Sequence, residues 1–336
     1  MVNRFALFVA ATGPDIGRNY IPDVNSQLNS LQKQGITDLD VYLLNYGFPP
    51  DWNYCEKAVE AFDFNLIPIQ MSRDDMPHPK QTNPIEFTKR ARYFYLMEYA
   101  KNYDAVCLMD ADMFVVSPAF RGLFDLVAGT SLMVGANERF KWDVGATSYF
   151  YSDGCPIFPD PRKLHMMICN VPCLFDMNKW ADVFETYKQI CFDGFQFRRT
   201  EKVGIGDLYA HNIAINVHNR EQDIYAFPMS TFAQVHHVWR KPWTHIINDG
   251  GKWRTFAGDR IMVVHDTKKI ATTRFVTGNM AEYRKEFEGW SQCDNFEEKV
   301  RTGLRALQKE WYNLNLQQSL RLDEIMGFDP VWETFA

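Results

Sequence analysis

The chain has 336 residues, of which 46% are hydrophobic and 15% aromatic. That length and composition suit one large α/β domain or two modest ones with a packed core, and they exclude a disordered or fibrous chain. The formal net charge of −6 gives no general attraction for polyanions, although a local basic patch could still meet nucleic acid.

The first apolar segment, "RFALFVAAT" (4–12), reads as a strand. Its apolar run is short for a secretory leader, and no small-residue cleavage site follows. "PDVNSQLNSLQKQG" (22–35) has helical spacing and a glycine stop, and "LDVYLLNYG" (39–47) is a second strand. A helix over 53–62 and a strand over 64–70 come next, then the longest helix, 83–103, with Pro84 in its first turn. That helix feeds the strand "DAVCLM" (104–109). Strands separated by helices predict a mixed, mostly parallel sheet with helices on both faces. From 141 to 165 the sequence is rich in Gly, Pro, Ser and Asp and reads as a long loop. Beyond it come a strand over 166–177, helices over 179–191 and 207–219, and a strand over 259–266. Helices over 295–326 form a C-terminal extension, so the expected division is a domain over 1–290 with 291–336 packed on it.

No apolar stretch approaches the ~18 residues that cross a bilayer. The seven cysteines include no CxxC pair, which favours reduced thiols in a cytoplasmic protein over a disulfide framework or zinc site.

Ligands of such sheets bind outside the carboxyl ends of the strands, and "MDADMF" places Asp110 and Asp112 there. On an extended segment, side chains at i and i+2 point the same way. Two unpaired carboxylates beside a buried sheet repel and are costly to desolvate. A hard divalent cation removes that cost, and oxygen donors select Mg²⁺ or Mn²⁺. The sequence contains its own control: Asp38 and Asp40 share the spacing but stand at the amino end of a strand. They read as turn and strand-opening residues.

The block "EFTKRARYFYLMEYAKNYDAVCLMDADMFVVSP" resembles the helix–strand–DxD block of GT-A glycosyltransferases. It is most similar to the family of glycogenin and the bacterial lipooligosaccharide galactosyltransferases. The resemblance implies a GT-A fold and metal-dependent transfer from a nucleotide sugar, a UDP-sugar above all, with retention at the anomeric carbon. "ICNVPCLFDMNKW" (168–180) is similar to the family's donor-sugar segment. Asn170 matches it, and Pro172 replaces the usual glycine. "GDLYAHN" (206–212) resembles the family's Asp-Gln-Asp-x-x-Asn stretch. Asp207 and Asn212 match, while Leu208 and Tyr209 replace Gln and Asp. The resemblance therefore implies Asp207 and Asn170 at the donor sugar, and Asp110, Ala111 and Asp112 at the diphosphate and metal.

It also implies a histidine as third metal ligand at the end of a late strand. His265 fits, with Lys268 and Lys269 beyond it for diphosphate oxygens, and the pair His236 and His237 before "KPW" are its rivals. Lys89, Arg90 and Arg92 lie on the helix that feeds the DxD strand. Lys89 and Arg92 share a face, and either is a candidate for the donor phosphates. The turn after strand one, "AATGPDIGRNY", lets a nucleotide approach the backbone at Ala11 and Thr12, with Tyr20 available to stack on the base. It is neither a GxGxxG nor a P-loop. Cys169 and Cys173 read as core thiols.

Residues 236–256 interleave Trp239, Trp243 and Trp253 with Arg240, Lys241, Lys252 and Arg254. Indole faces pack on sugars or bases and cations meet phosphates. The expected acceptor is a hydroxyl on a glycan, protein or lipid-linked carrier, with a nucleic-acid base as a minor alternative. Two other classes stay open: a sugar-phosphate nucleotidyltransferase and a non-catalytic carbohydrate- or nucleotide-binding protein. The first usually has a Gly-rich basic loop after strand one, and the second has no need of a metal-ready DxD.

Overall fold

A computed structural model describes residues 4–13, 20–47, 62–75, 84–137, 168–193, 207–227, 232–234, 246–249, 252–255 and 261–265. The expected helix at 53–62 (save its last residue), the 141–165 loop, His236, His237, Lys268 and the C-terminal helices lie outside these residues. The chain forms two units. The first comprises 1–24, 37–111 and 123–226, and the second 25–36, 112–122 and 227 onward.

The strands of the first unit are β1 (Phe5–Thr12), β2 (Asp40–Tyr46), β3 (Asn65–Gln70), β4 (Ala105–Asp110), β6 (Met133–Asn137), β7 (Ile168–Phe175) and β8 (Ile224–Phe227). They form one sheet in the order β3-β2-β1-β4-β7-β6-β8. The first four run parallel, and β7 is antiparallel to both β4 and β6. The mixed, mostly parallel sheet expected from the sequence is therefore present. The chain steps outward from β1 through β2 to β3, then returns to the other side of β1 with β4. That reversal puts the topological switch point between β1 and β4, where ligands of open α/β sheets bind.

Burial follows from this layering. Residues 5–9 of β1 and all eight residues of β7 are buried, as expected for strands covered on both faces. Phe8 stacks on Tyr42 with ring centroids 4.5 Å apart, and each such side chain contributes roughly 1.5–3 kcal/mol by leaving water. Helices α2 (Pro84–Tyr99), α4 (Met177–Asp193) and α5 (Asp207–Val217) meet around Tyr93. Its ring lies 4.3 Å from that of Tyr187 and 5.7 Å from that of Phe184. The expected 83–103 helix is α2 followed by a 3-10 turn, Ala100–Asn102. It stops because Tyr103 is already extended, with φ −118°, on its way into β4. Helix α3 (Ala119–Val127) and strand β6 were not read from the sequence. The first is only nine residues long with Gly122 inside it, although Phe120, Leu123, Phe124 and Val127 recur at helical spacing and are buried; the second carries Gly135 and a bulge, which blur its strand alternation.

Gly135 bears on the site. A β-carbon there would meet Ile168 Cδ1 at 2.9 Å and the Cys169 carbonyl oxygen at 3.2 Å. Gly135→Ala is expected to cost about 1–3 kcal/mol by overpacking the start of β7. A denaturation midpoint that drops with an unchanged m-value is the result expected.

In the second unit, β5 (Met113–Val115), β12 (Val263–His265) and β9 (Phe232–Gln234) form a three-stranded sheet with β12 in the middle. Strands β10 (Ile246–Asp249) and β11 (Lys252–Thr255) make an antiparallel hairpin. Helix α1 (Ile21–Lys33) places Leu28 and Leu31 in the core of this unit. The Ser30 hydroxyl accepts the Val115 N–H at 2.9 Å. The glycine stop read from the sequence is Gly35, at φ 70°. The Ile36 N–H then bonds back to the Leu31 carbonyl at 3.1 Å, closing the helix in a Schellman turn.

Candidate active site

The two aspartates do not lie on one extended segment. Strand β4 ends at Asp110, and the chain turns at Ala111 and Asp112 before β5 begins at Met113. The turn gives the two carboxylates different surroundings.

Asp110 belongs to the first unit, at the carboxyl end of β4 beside β1. Arg92 reaches it from α2 with a short charge-assisted hydrogen bond from Nη1 to Oδ1. The other terminal nitrogen, Nη2, donates to Asp207 Oδ2 at 2.8 Å. Asn170 Nδ2 donates to the same oxygen at 2.6 Å. The antiparallel pairing of β7 with β4 brings the amino end of β7, and with it Asn170, to the carboxyl end of β4. Asp207 is the first residue of α5, where the helix dipole favours a carboxylate. Four residues from four elements (α2, β4, β7 and α5) thus form one hydrogen-bonded chain, Asp110–Arg92–Asp207–Asn170. Burial works against the Arg92 charge, but the Asp110 and Asp207 carboxylates outweigh it and raise the guanidinium pKa.

Asp112 belongs to the second unit. The antiparallel register pairs His265 with Met113, so the imidazole arrives beside the residue before it. His265 Nε2 lies 3.3 Å from Asp112 Oδ1, and both side chains are about one-tenth exposed. A carboxylate this buried needs a counter-charge. The imidazole supplies one only when protonated, whereas a divalent cation does so without a proton. Asp112 and His265 offer a carboxylate oxygen and an imidazole nitrogen, donors that suit Mn²⁺ or Mg²⁺. Asp110 and Asp112 are separated by one residue, so the covalent chain itself limits their Cα separation to about 7 Å.

Other residues singled out from the sequence take varied places. Ala11 and Thr12 end β1, both buried, and the Tyr20 N–H closes the turn onto the Thr12 carbonyl at 3.1 Å. Lys89 is half-buried, and Arg90 is buried like Arg92. Asn212 acts as a backbone clamp: its Nδ2 donates to the Ile168 and Leu208 carbonyls and its Oδ1 accepts the Ile168 N–H, all within 2.8–2.9 Å. Cys169 and Cys173 are buried free thiols, as expected. The control aspartate Asp40 opens β2 and accepts hydrogen bonds from Tyr103 Oη at 2.5 Å and Asn65 Nδ2 at 2.9 Å. Burial would raise its pKa, but these bonds and Arg4 lower it. It is a structural carboxylate. Of residues 236–256, only the backbone of the β10–β11 hairpin is described.

His211 was not singled out from the sequence. It is buried on α5, with its ring 5.9 Å from those of Tyr93 and Phe184. Neither ring nitrogen has a hydrogen-bond partner among the described residues. Burial, aided by the Arg92 charge, pushes its pKa down to about 3.

No protein-family model and no curated protein matches the chain. Solved structures do. Galactosyltransferase LgtC, in complex with donor and acceptor sugar analogs, aligns at TM-score 0.53 and 16% identity over 84% of this chain and 99% of that one. An active-site mutant of LgtC aligns at 0.51 and 17% identity over 82% and 95%. The fold is the GT-A glycosyltransferase fold. The glycosyltransferase GlyE of Streptococcus pneumoniae TIGR4 aligns at 0.46 and 19% identity over 71% of this chain, which spans about half of GlyE (48%). Among the described residues, no helix is long and apolar enough to cross a membrane.

Proposed function

We propose that the protein is a glycosyltransferase that moves a sugar from a nucleotide sugar, specifically a UDP-sugar, to an acceptor hydroxyl, with retention at the anomeric carbon. Asp110, Asp112 and His265 would hold Mn²⁺ or Mg²⁺. When bound, such an ion supplies a Lewis acid that neutralises the departing diphosphate. Asp207 and Asn170 are assigned to the donor sugar. The buried Arg92 orients Asp110 and Asp207, and Ala11, Thr12 and Tyr20 line the approach of the nucleotide at the end of β1. Ala111 is assigned to the diphosphate. Lys89 and Lys268 are proposed partners for its oxygens, the second from outside the described residues.

The observation that carries this reading is the pairing of Asp112 with His265, two residues after a strand-end aspartate at the β1/β4 switch point. The shared fold with LgtC, solved with donor and acceptor sugar analogs, supports the same chemistry. A nucleotidyltransferase reading gains no comparable support from the turn after β1. The test is a hydrolysis screen across nucleotide sugars with and without Mn²⁺. Release of nucleoside diphosphate from one UDP-sugar, dependent on Mn²⁺, is expected. Turnover only of nucleoside triphosphates with sugar phosphates would overturn the proposal.

A further inference from the structure

Arg92 lies in the interior of the first unit, its side chain 2% exposed, with one terminal nitrogen on Asp110 and the other on Asp207. These carboxylates have different proposed duties, one toward a metal and the other toward a sugar. A guanidinium is a rigid planar fork, so both contacts draw on one delocalised charge. While Asp207 is charged, it shares that cation and leaves Asp110 part of its negative potential. If Asp207 loses its charge, the cation acts on Asp110 alone.

We propose that Arg92 is a positioning residue that couples cation binding at Asp110 to the state of Asp207. The guanidinium competes with a metal for Asp110, and Asp207 sets how strongly it competes. The inference rests on the proposed metal role of Asp110. Linkage gives it a functional consequence. A ligand that engages Asp207 changes the cation affinity by the same factor as the cation changes the affinity for that ligand. The metal and sugar halves of the site would then communicate through one side chain.

The signs of the expected effects distinguish this coupling from simple damage. Mn²⁺ binding to the full chain, without nucleotide, can be read from the electron paramagnetic resonance of the free ion. Asp207→Asn is expected to weaken it about tenfold, although Asp207 is not a proposed ligand. Arg92→Gln is expected to tighten it about threefold or more by releasing Asp110. In the Arg92→Gln background, Asp207→Asn should change the affinity by less than about twofold. A plain through-space loss of charge would instead give the same tenfold effect in both backgrounds, and that result overturns the coupling.

If circular dichroism shows that Arg92→Gln does not fold, Arg92→Lys replaces it. A lysine ammonium is a single point donor without the planar fork whose two separate nitrogens reach Asp110 and Asp207, so the Asp207→Asn effect should shrink to about threefold or less. An undiminished effect again counts against the proposal. Mn²⁺ binding that is present but unchanged by Asp207→Asn removes only the coupling. No Mn²⁺ binding by the native chain removes both the coupling and the metal reading.

Discussion

Asp112→Asn is expected to lower kcat/KM for a nucleotide sugar by about 10³-fold or more, with the fold intact. The substitution keeps the shape of the side chain, removes its charge and replaces one acceptor oxygen by an NH2 donor. It leaves His265 facing a neutral amide, and one of the two carboxylates proposed to hold the cation is lost. Lewis-acid stabilisation of a leaving phosphate is worth several kcal/mol, and about 4 kcal/mol corresponds to roughly three powers of ten in rate. Asp38→Asn is the matched control. Asp38 is exposed at the amino end of β2, where a surface change typically costs within about 0.5 kcal/mol. Steady-state kinetics of both variants, over a range of Mn²⁺ concentrations, would decide the matter. Equal activity in the two would remove the DxD from the mechanism.

The second large effect concerns pH and is independent of the metal. In the folded protein His211 stays neutral down to about pH 3 because it is buried beside Arg92. In the unfolded chain an ordinary histidine takes up a proton near pH 6.5. Between these values the unfolded state binds the extra proton, so stability falls as the pH falls. The effect is absent above pH 6.5 and approaches roughly 1.4 kcal/mol per pH unit below it, or about 2 kcal/mol by pH 5. His211→Leu removes the titrating group at similar volume. Its stability should therefore decline less steeply than that of the native chain between pH 6.5 and 5, whatever the offset at neutral pH. Parallel slopes from denaturant titrations would mean that the buried imidazole is protonated in the folded state.

The sheet was legible because its strands are short apolar runs bounded by helices of clear period. β1, β2, β3 and β4 fall within a residue or two of the expected positions. Burial on both faces also made the parallel arrangement readable. What the sequence hid was long-range register. "RIMVVHD" indicates a strand ending in histidine, but only the pairing of Val263–His265 with Met113–Val115 puts His265 beside Asp112. The turn at Ala111 and Asp112 was also hidden, since an apolar run on both sides of a DxD reads equally well as one continuous strand. Arg92 shows a third limit. Its place on a basic helix suggested a solvated or phosphate-facing cation, whereas the fold buries it between carboxylates from residues 110 and 207. Asn212, matched to a family position, clamps the backbone of β7 at Ile168 and, within its own motif, bonds to the Leu208 carbonyl. The tryptophan-rich segment 236–256 offered the strongest compositional signal for an acceptor, and most of it lies outside the described residues.

The proposed function places one divalent cation on Asp110, Asp112 and His265, against the diphosphate of a nucleotide sugar. Anomalous X-ray diffraction from crystals grown with Mn²⁺ and UDP tests it most directly. The expected result is a single manganese peak, with oxygen distances of the order of 2.0–2.3 Å to Asp110 and Asp112, His265 Nε2 as a third ligand, and diphosphate oxygens on the open side. A manganese peak elsewhere with UDP bound, or UDP bound at the β1/β4 switch point with no manganese beside the two aspartates, would contradict it.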